Sequence, residues 1–433
     1  MAAKRQIPIH TARDRQLPAV GTLPPEIAFL TNRYLTPVEL HQADKLSRSW
    51  GTTAEQVLLA TGQISEQDYY QALATHTGLN FTNLESHSPD WAYFKRVAQR
   101  ALGQGDIAPL GVGAGGLQIA YAPRGQAVRR LARIADEPTL GTKLRQNIFI
   151  ATPTAIRNAL LGRFRRAFTK SSIDRLSRQA PEMSARYNLL PLQKFAMLTL
   201  LLVTVALFLW QPFTAFTSWN LLLASVFFAV TGFRLIAAFR AILLGVGDDA
   251  SQTSDISNKD LPVYTILVPL FREASVLEAL VGALKALDYP PAKLDVKIVL
   301  EQNDAETRKK AQDLNLPYAF DVIVVPASKP QTKPKALNFA MQFARGDYVV
   351  IYDAEDRPEP DQLRKALAAF REGPANLACV QARLGIYNSN QNWLTSQFTI
   401  EYAALFHILL PALEALKAPL PLGGTSNHFR GLR

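Results

Sequence analysis

Two apolar runs, separated by a short uncharged turn, constrain this chain more than any other feature. Phe195 to Trp210 is about 16 apolar or Thr residues without interruption, close to the lower limit for a bilayer span. Leu189, Leu190 and Leu192 extend it, and Lys194 can snorkel. Trp219 to Phe233 is the second run, continued past Arg234 by Leu235 to Phe239. The turn between them, Gln211 to Ser218, carries Trp210 and Trp219 at its edges, where tryptophan favours a membrane interface. The pattern predicts a transmembrane hairpin within residues 189–244; the alternative is a buried helical hairpin in a soluble core.

The flanks orient the hairpin. Arg157, Arg163, Arg165, Arg166, Lys170, Arg175, Arg178 and Arg186 precede it, Arg234 and Arg240 close it, and the turn has neither Lys nor Arg. The positive-inside rule puts both flanks, and with them both soluble parts, in the cytoplasm of a bacterial inner membrane. The basic stretch 166–188 reads as a juxtamembrane linker able to rest on anionic lipid. The net charge of +11 also suits nucleic acid. That partner is excluded here, because the arginines flank a span and form no recognisable nucleic-acid-binding motif. Cys379 is the one cysteine, so the chain has no internal disulfide and no cysteine-rich zinc site. Residues 1–34 are polar and basic at the start, without a signal-peptide core, and read as a disordered tail.

The soluble parts differ in pattern. Thr36 to Asp44 and Thr53 to Thr61 have helical spacing, Ser65-Glu66-Gln67-Asp68 resembles a capping box opening Tyr69 to Thr77, and Leu117 to Ala122 reads as a hairpin strand. This is a small α/β module over residues 35–165. Further on, Tyr264–Leu270, Val296–Leu300, Asp321–Val325 and Tyr348–Tyr352 are strand-like, with helical patterns between them, which implies a mostly parallel sheet from about residue 260. The last of these strands runs into Asp353-Ala354-Glu355-Asp356. Open α/β sheets bind ligands at that carboxyl edge, and Asp353 and Glu355 can share one divalent cation that in turn holds a diphosphate. No glycine-rich phosphate loop is present, which speaks against an ATP or dinucleotide site.

Two family resemblances follow. Val57 to Ser65, Ala72-Leu73-Ala74 and Gly78-Leu79, with Ile107 to Leu110, Ala120 to Pro123 and Ala151 to Ile156, resemble the N-terminal domain of type II secretion and pilus ATPases. Some members of that family bind cyclic di-GMP through an arginine and a glycine at places where this chain has Thr53 and Glu55. The resemblance therefore implies a docking or regulatory module, with a secretion or export partner. Val268 to Glu273, Leu287 to Pro290, Lys333-Pro334-Lys335-Ala336-Leu337-Asn338 and Asp353 to Asp356 resemble, in order and spacing, the membrane-bound family 2 glycosyltransferases of the cellulose and poly-N-acetylglucosamine synthase group. That likeness covers about residues 260–430. It implies a GT-A-like, Rossmann-like fold, a nucleotide-sugar donor of the UDP-sugar kind, a glycan acceptor and Mg²⁺ or Mn²⁺.

Carried over residue by residue, the resemblance puts Glu273, Asp304, Lys333 and Asp353 at the donor, Asp353 and Glu355 on the metal, and Gln381, Gly424 and Thr425 along the acceptor path. Asp304 has an alternative as the N-cap of the helix starting at Ala305, and His428 is read as a non-ligand. The family's catalytic-base motif lies downstream of the Gly423 segment, and this chain stops at Arg433, so the expectation is a shortened, inactive form. Phe398 to Leu416, interrupted by Pro411, is expected to be an interfacial helix. The competing reading is a non-catalytic membrane scaffold or receptor with a partner-docking or cyclic di-GMP-sensing N-terminal domain.

Overall fold

The computed structural model describes residues 23–84, 106–113, 116–135, 142–184, 186, 189–244 and 256–431. The chain forms two compact units: the residues up to Leu160 together with Asn258–Asp260, and Leu161–Ser257 together with the residues from Leu261 on.

The first unit opens with α1 (Pro25–Ala28), α2 (Pro37–Trp50), α3 (Ala54–Ala60) and α4 (Glu66–Thr77). Its sheet has the order β1-β4-β3-β2, from β1 (Asn80–Phe81), β2 (Ile107–Gly113), β3 (Gly116–Tyr121) and β4 (Ile148–Ile150). The β2–β3 pair is antiparallel and the other pairs are parallel. Helices α5 (Gln126–Ala135) and α6 (Thr142–Asn147) lie between β3 and β4. The full capping box sits on α2, where Thr36 Oγ1 accepts from Glu39 N and Glu39 Oε2 accepts from Thr36 N. On α4 only the forward half forms, from Asp68 N to Ser65 Oγ, and the helix opens at Glu66, ahead of the expected Tyr69. The helix ends at Gly78 with φ 65°, a left-handed residue that glycine adopts without strain.

The disordered tail does not reach residue 34. Ile27 and Leu30 are fully buried, and Tyr69 donates to Glu26 O at 2.7 Å. Burying two such side chains stabilises the segment by roughly 2 kcal/mol each, enough to order a short chain entry. The tail's first 22 residues lie outside the described residues. Thr53 and Glu55 are both buried, and Glu55 Oε1 accepts from Gly125 N at 2.6 Å.

The second unit takes in α7 (Pro153–Gln179) from Leu161 on. The expected linker 166–188 is therefore helical through Gln179. The reason is packing: Phe168 meets the rings of Phe339 and Phe343 edge-on at 6.3 and 5.2 Å, and Asn338 Nδ2 donates to Ser172 O at 3.2 Å. Next come α8 (Pro191–Trp210) and α9 (Pro212–Leu244). The expected eight-residue turn shrinks to Gln211, because Pro212 is well suited to the first position of a helix. Both helices are long and apolar enough to cross a membrane, and their apolar side chains stand exposed.

The rest of the unit is a six-stranded sheet of order β7-β6-β5-β8-β10-β9. Strands β5 (Tyr264–Leu270), β6 (Leu294–Glu301), β7 (Phe320–Val325) and β8 (Tyr348–Ile351) are parallel. Strands β9 (Cys379–Gln381) and β10 (Asn427–Arg430) complete the sheet in antiparallel pairings. The helices between strands are α10 (Leu277–Lys285), α11 (Ala305–Asp313), α12 (Lys333–Ala340) and α13 (Gln362–Glu372). β6 is buried along its whole length, as expected of a central parallel strand. It carries the charged residues Asp295 and Lys297, paired with each other at 2.8 Å; Asp295 also pairs with Arg345.

Helices α14 (Trp393–Ala404) and α15 (Leu410–Ala415) are joined by a π-helical turn at Leu405–Leu409. Pro411 does not break the stretch as expected. A proline lacks the N–H and crowds the carbonyl four residues back, and the wider π turn accommodates it. Trp393–Ala415 is consequently a third helix long and apolar enough to cross a membrane, where an interfacial helix was expected.

Candidate active site

The strand register determines which side chains can meet. Leu267 is opposite Ile351, and Leu270 is opposite Leu300. The carboxyl ends of β5, β6 and β8 therefore lie side by side, and the residues just past them share one edge. β10 runs the other way, with Asn427 opposite Ile351, so Gly424 and Thr425 enter at that same edge.

A cavity of ≈ 450 Å³ opens there, lined by Phe271, Glu273, Glu301, Lys333, Asp353 and Glu355 among others. Lys333 stands at the first position of α12. Its Nζ forms an ion pair with Asp353 Oδ1 and donates to Gly424 O at 2.9 Å. The Asp353 turn is held from beneath: Asp356 Oδ2 accepts from Asp353 N at 2.8 Å, and Thr425 Oγ1 accepts from the same N–H at 3.1 Å. Thr425 Oγ1 also bonds to Asp356. Burial, together with the neighbouring Asp353 and Glu355 carboxylates, pushes Asp356 up in pKa even though the Thr425 bond opposes it. Asp356 thus orients the turn.

Glu273 faces the same cavity. Burial first, and the carboxylates of Glu355, Asp353 and Asp304 after it, raise its pKa. Four acids line this cavity, and two of them already have a cationic partner, Asp353 in Lys333 and Glu301 in Lys335.

Asp304 is placed differently. It does not line the cavity. It caps α11 by accepting from Thr307 N at 3.1 Å, and its other oxygen accepts from Arg272 N at 2.5 Å. Burial acts to raise its pKa, but the bonds from Arg272 and Thr307 outweigh that and hold it below the usual carboxylate value. Arg272 has a left-handed φ of 61°, which turns the chain so that Glu273 reaches the cavity. Asp304 supports that turn.

Gln381 ends β9 opposite Asn427 and borders a neighbouring cavity of ≈ 720 Å³, together with Asp356, Arg357, Tyr387, His407 and His428. The Arg357 guanidinium lies over the Tyr387 ring at 4.6 Å. His428 is fully buried, its Nδ1 within 2.8 Å of Tyr264 Oη, and burial lowers its pKa to about 3. It stays neutral there.

The residues expected at the donor and metal thus converge, apart from Asp304, while Gln381 belongs to the second cavity. Sequence reasoning missed Glu301. As the last residue of β6 it lines the cavity at the strand ends, with Lys335 Nζ at 3.0 and 3.1 Å from its two oxygens. Its position at the carboxyl end of a strand was the available signal.

Residues 265–433 match the family model of glycosyl transferase family 2. Glucomannan 4-beta-mannosyltransferase 2 of Arabidopsis thaliana is 25% identical over 162 residues, covering 34% of this chain and 29% of the relative. The probable glycosyltransferase YdaM of Bacillus subtilis (strain 168) is 26% identical over 143 residues, covering 33% of this chain and 32% of its own length. The chain thus spans less than a third of these curated relatives. Among solved structures, a mannosyltransferase from Pyrobaculum calidifontis in complex with GDP-Man and Mn²⁺ aligns over 48% of this chain and 55% of its own, with 23% identity and a TM-score of 0.36.

Proposed function

We propose that the second unit binds a nucleotide-sugar donor in the Glu273–Asp353–Glu355 cavity and belongs to a membrane glycosyltransferase that transfers the sugar, with inversion, to a glycan acceptor. The observation that carries this reading is the meeting of Lys333, Asp353 and Gly424 beside Glu355, at the carboxyl edge of a parallel sheet, within the family 2 segment. The reading takes the sheet as GT-A-like.

Asp353 and Glu355 suit Mg²⁺ or Mn²⁺, since both offer hard carboxylate oxygens to the cavity. When bound, the cation neutralises charge on the departing diphosphate. Lys333 sits where its ammonium can turn from Asp353 to a phosphate oxygen. Thr425 and Asp356 hold the Asp353 backbone still, so little reorganisation accompanies donor binding. The Gln381 cavity is the proposed acceptor side. The arginine flanks of α8 and α9 support a cytoplasmic donor site at a bacterial inner membrane, with exopolysaccharide synthesis as the setting.

A UDP-sugar is the first donor class to test. GDP-mannose is the second reading, because the Arabidopsis relative is a mannosyltransferase by name. Saturation-transfer NMR with a panel of UDP-sugars and GDP-mannose, in Mn²⁺, separates them. Signal from one nucleotide class, lost in Asp353→Asn, is the expected result. No signal from any member contradicts the proposal.

A further inference from the structure

A third polar cleft, of ≈ 670 Å³, lies between α7 and the loop that follows β7. Arg165, Arg166, Lys170, Arg186 and Lys329 line it, against the single carboxylate of Asp174. That carboxylate is already engaged, accepting from Arg178 at 2.8 Å and from Arg186 at 2.7 Å. Five cations around one concave wall repel each other, and the walls exclude part of the water that would screen them. An anion with several oxygens relieves that repulsion, and paired guanidinium forks match phosphate geometry better than they match chloride.

The cleft is built by the fold and is more than a charged tail. Phe168 on α7 packs on Phe339 and Phe343, Gln342 Nε2 donates to Phe168 O at 3.2 Å, and Arg165 donates to Gln302 Oε1. These contacts fix the helix that carries Arg165, Arg166 and Lys170 against α12, the turn after it and the loop after β6. We propose that this cleft is a binding site for a phosphate group, carried either by a soluble phosphorylated ligand or by an anionic lipid headgroup. Its wall is shared with the donor cavity. Gln302 follows Glu301 in the chain, and Ser328 O accepts from Lys335 Nζ at 3.5 Å, the same ammonium that pairs with Glu301. An occupant therefore presses on the loop whose other side lines the donor cavity.

The test uses the full chain and amine acylation of Lys170 and Lys329, read by mass spectrometry, with Lys333 as the internal report on the donor cavity. In neutral detergent, millimolar pyrophosphate without divalent cation should protect Lys170 and Lys329, and sodium chloride of matched ionic strength should not. In nanodiscs without pyrophosphate, protection by phosphatidylglycerol but not by phosphatidylcholine assigns the phosphate to a lipid headgroup. Either pattern supports the site and names its source. Arg165→Gln with Arg166→Gln should raise the pyrophosphate concentration for half-protection by at least roughly tenfold. Arg166→Gln alone keeps the Arg165–Gln302 bond and guards against a folding artefact. The proposal is overturned if neither arm protects these lysines, if chloride protects them equally, or if protection is unchanged in both variants. A change at Lys333 alone reports on the donor site and leaves the cleft without an occupant, which also counts against it.

Discussion

Replacing Glu55 by Gln should flatten a pH dependence built into the first unit. Glu55 is 1% exposed, and its Oε1 accepts from Gly125 N. Burial raises its pKa from 4.5 to about 7, against the Thr53 hydroxyl and the Gly125 bond and with help from Glu26. The folded value is above the unfolded one, so the stabilisation is complete below 4.5 and is lost as pH rises through about 7. At about 1.4 kcal/mol for each tenfold in proton affinity, the full effect is roughly 3 kcal/mol. Most of it falls between about pH 5 and about pH 8. Urea pulse proteolysis of the full chain, followed through peptides of α3 and α4, measures this locally. Wild type should be less stable by roughly 2–3 kcal/mol at the higher pH. Glu55→Gln mimics the neutral acid and should show little slope. Equal wild-type stability at both pH values, or an undiminished slope in the variant, refutes the reasoning.

Three further outcomes are expected. Lys335→Ala leaves Glu301 buried without its cation, at 7% side-chain exposure, and should destabilise the sheet by about 3 kcal/mol or more in urea titration, with Lys335→Met plus Glu301→Gln recovering most of that; a loss below about 1 kcal/mol counts against the pairing. Thr425→Val removes the hydroxyl beneath Asp353 N and should weaken nucleoside diphosphate binding about tenfold with the urea midpoint nearly unchanged. A cysteine placed at Thr217, in a Cys379→Ser background, should react with an impermeant maleimide from the outer side only, since the arginines flank the hairpin's other end; labelling from the cytoplasmic side alone contradicts the topology.

The sequence was legible where periodicity and chemistry coincide. Tyr348 to Tyr352 followed by Asp353 announced both a buried strand and a ligand edge, and the two apolar runs announced α8 and α9. It was opaque where tertiary contact decides. The stretch 166–188 reads as a basic juxtamembrane linker, yet Phe168 packing makes it part of a docked helix through Gln179. β9 and β10 have three and four residues, too short for an alternation signal, and they form because β8 offers β10 an edge and β10 offers one to β9. Glu301 was hidden at the end of an apolar strand, and its buried partner Lys335 was masked by the more obvious Lys333. Asp304 shows the converse: as a helix cap and support for Arg272, its position is explained without any ligand.

The most direct test of the donor cavity is calorimetry of the purified chain with UDP and with GDP, each with and without Mn²⁺. Binding of one nucleotide should require the cation, and Asp353→Asn should weaken it by on the order of 2 kcal/mol, roughly thirtyfold. Cation-independent binding, or an affinity unchanged in Asp353→Asn, contradicts the assignment of Asp353 and Glu355 to a metal-held diphosphate.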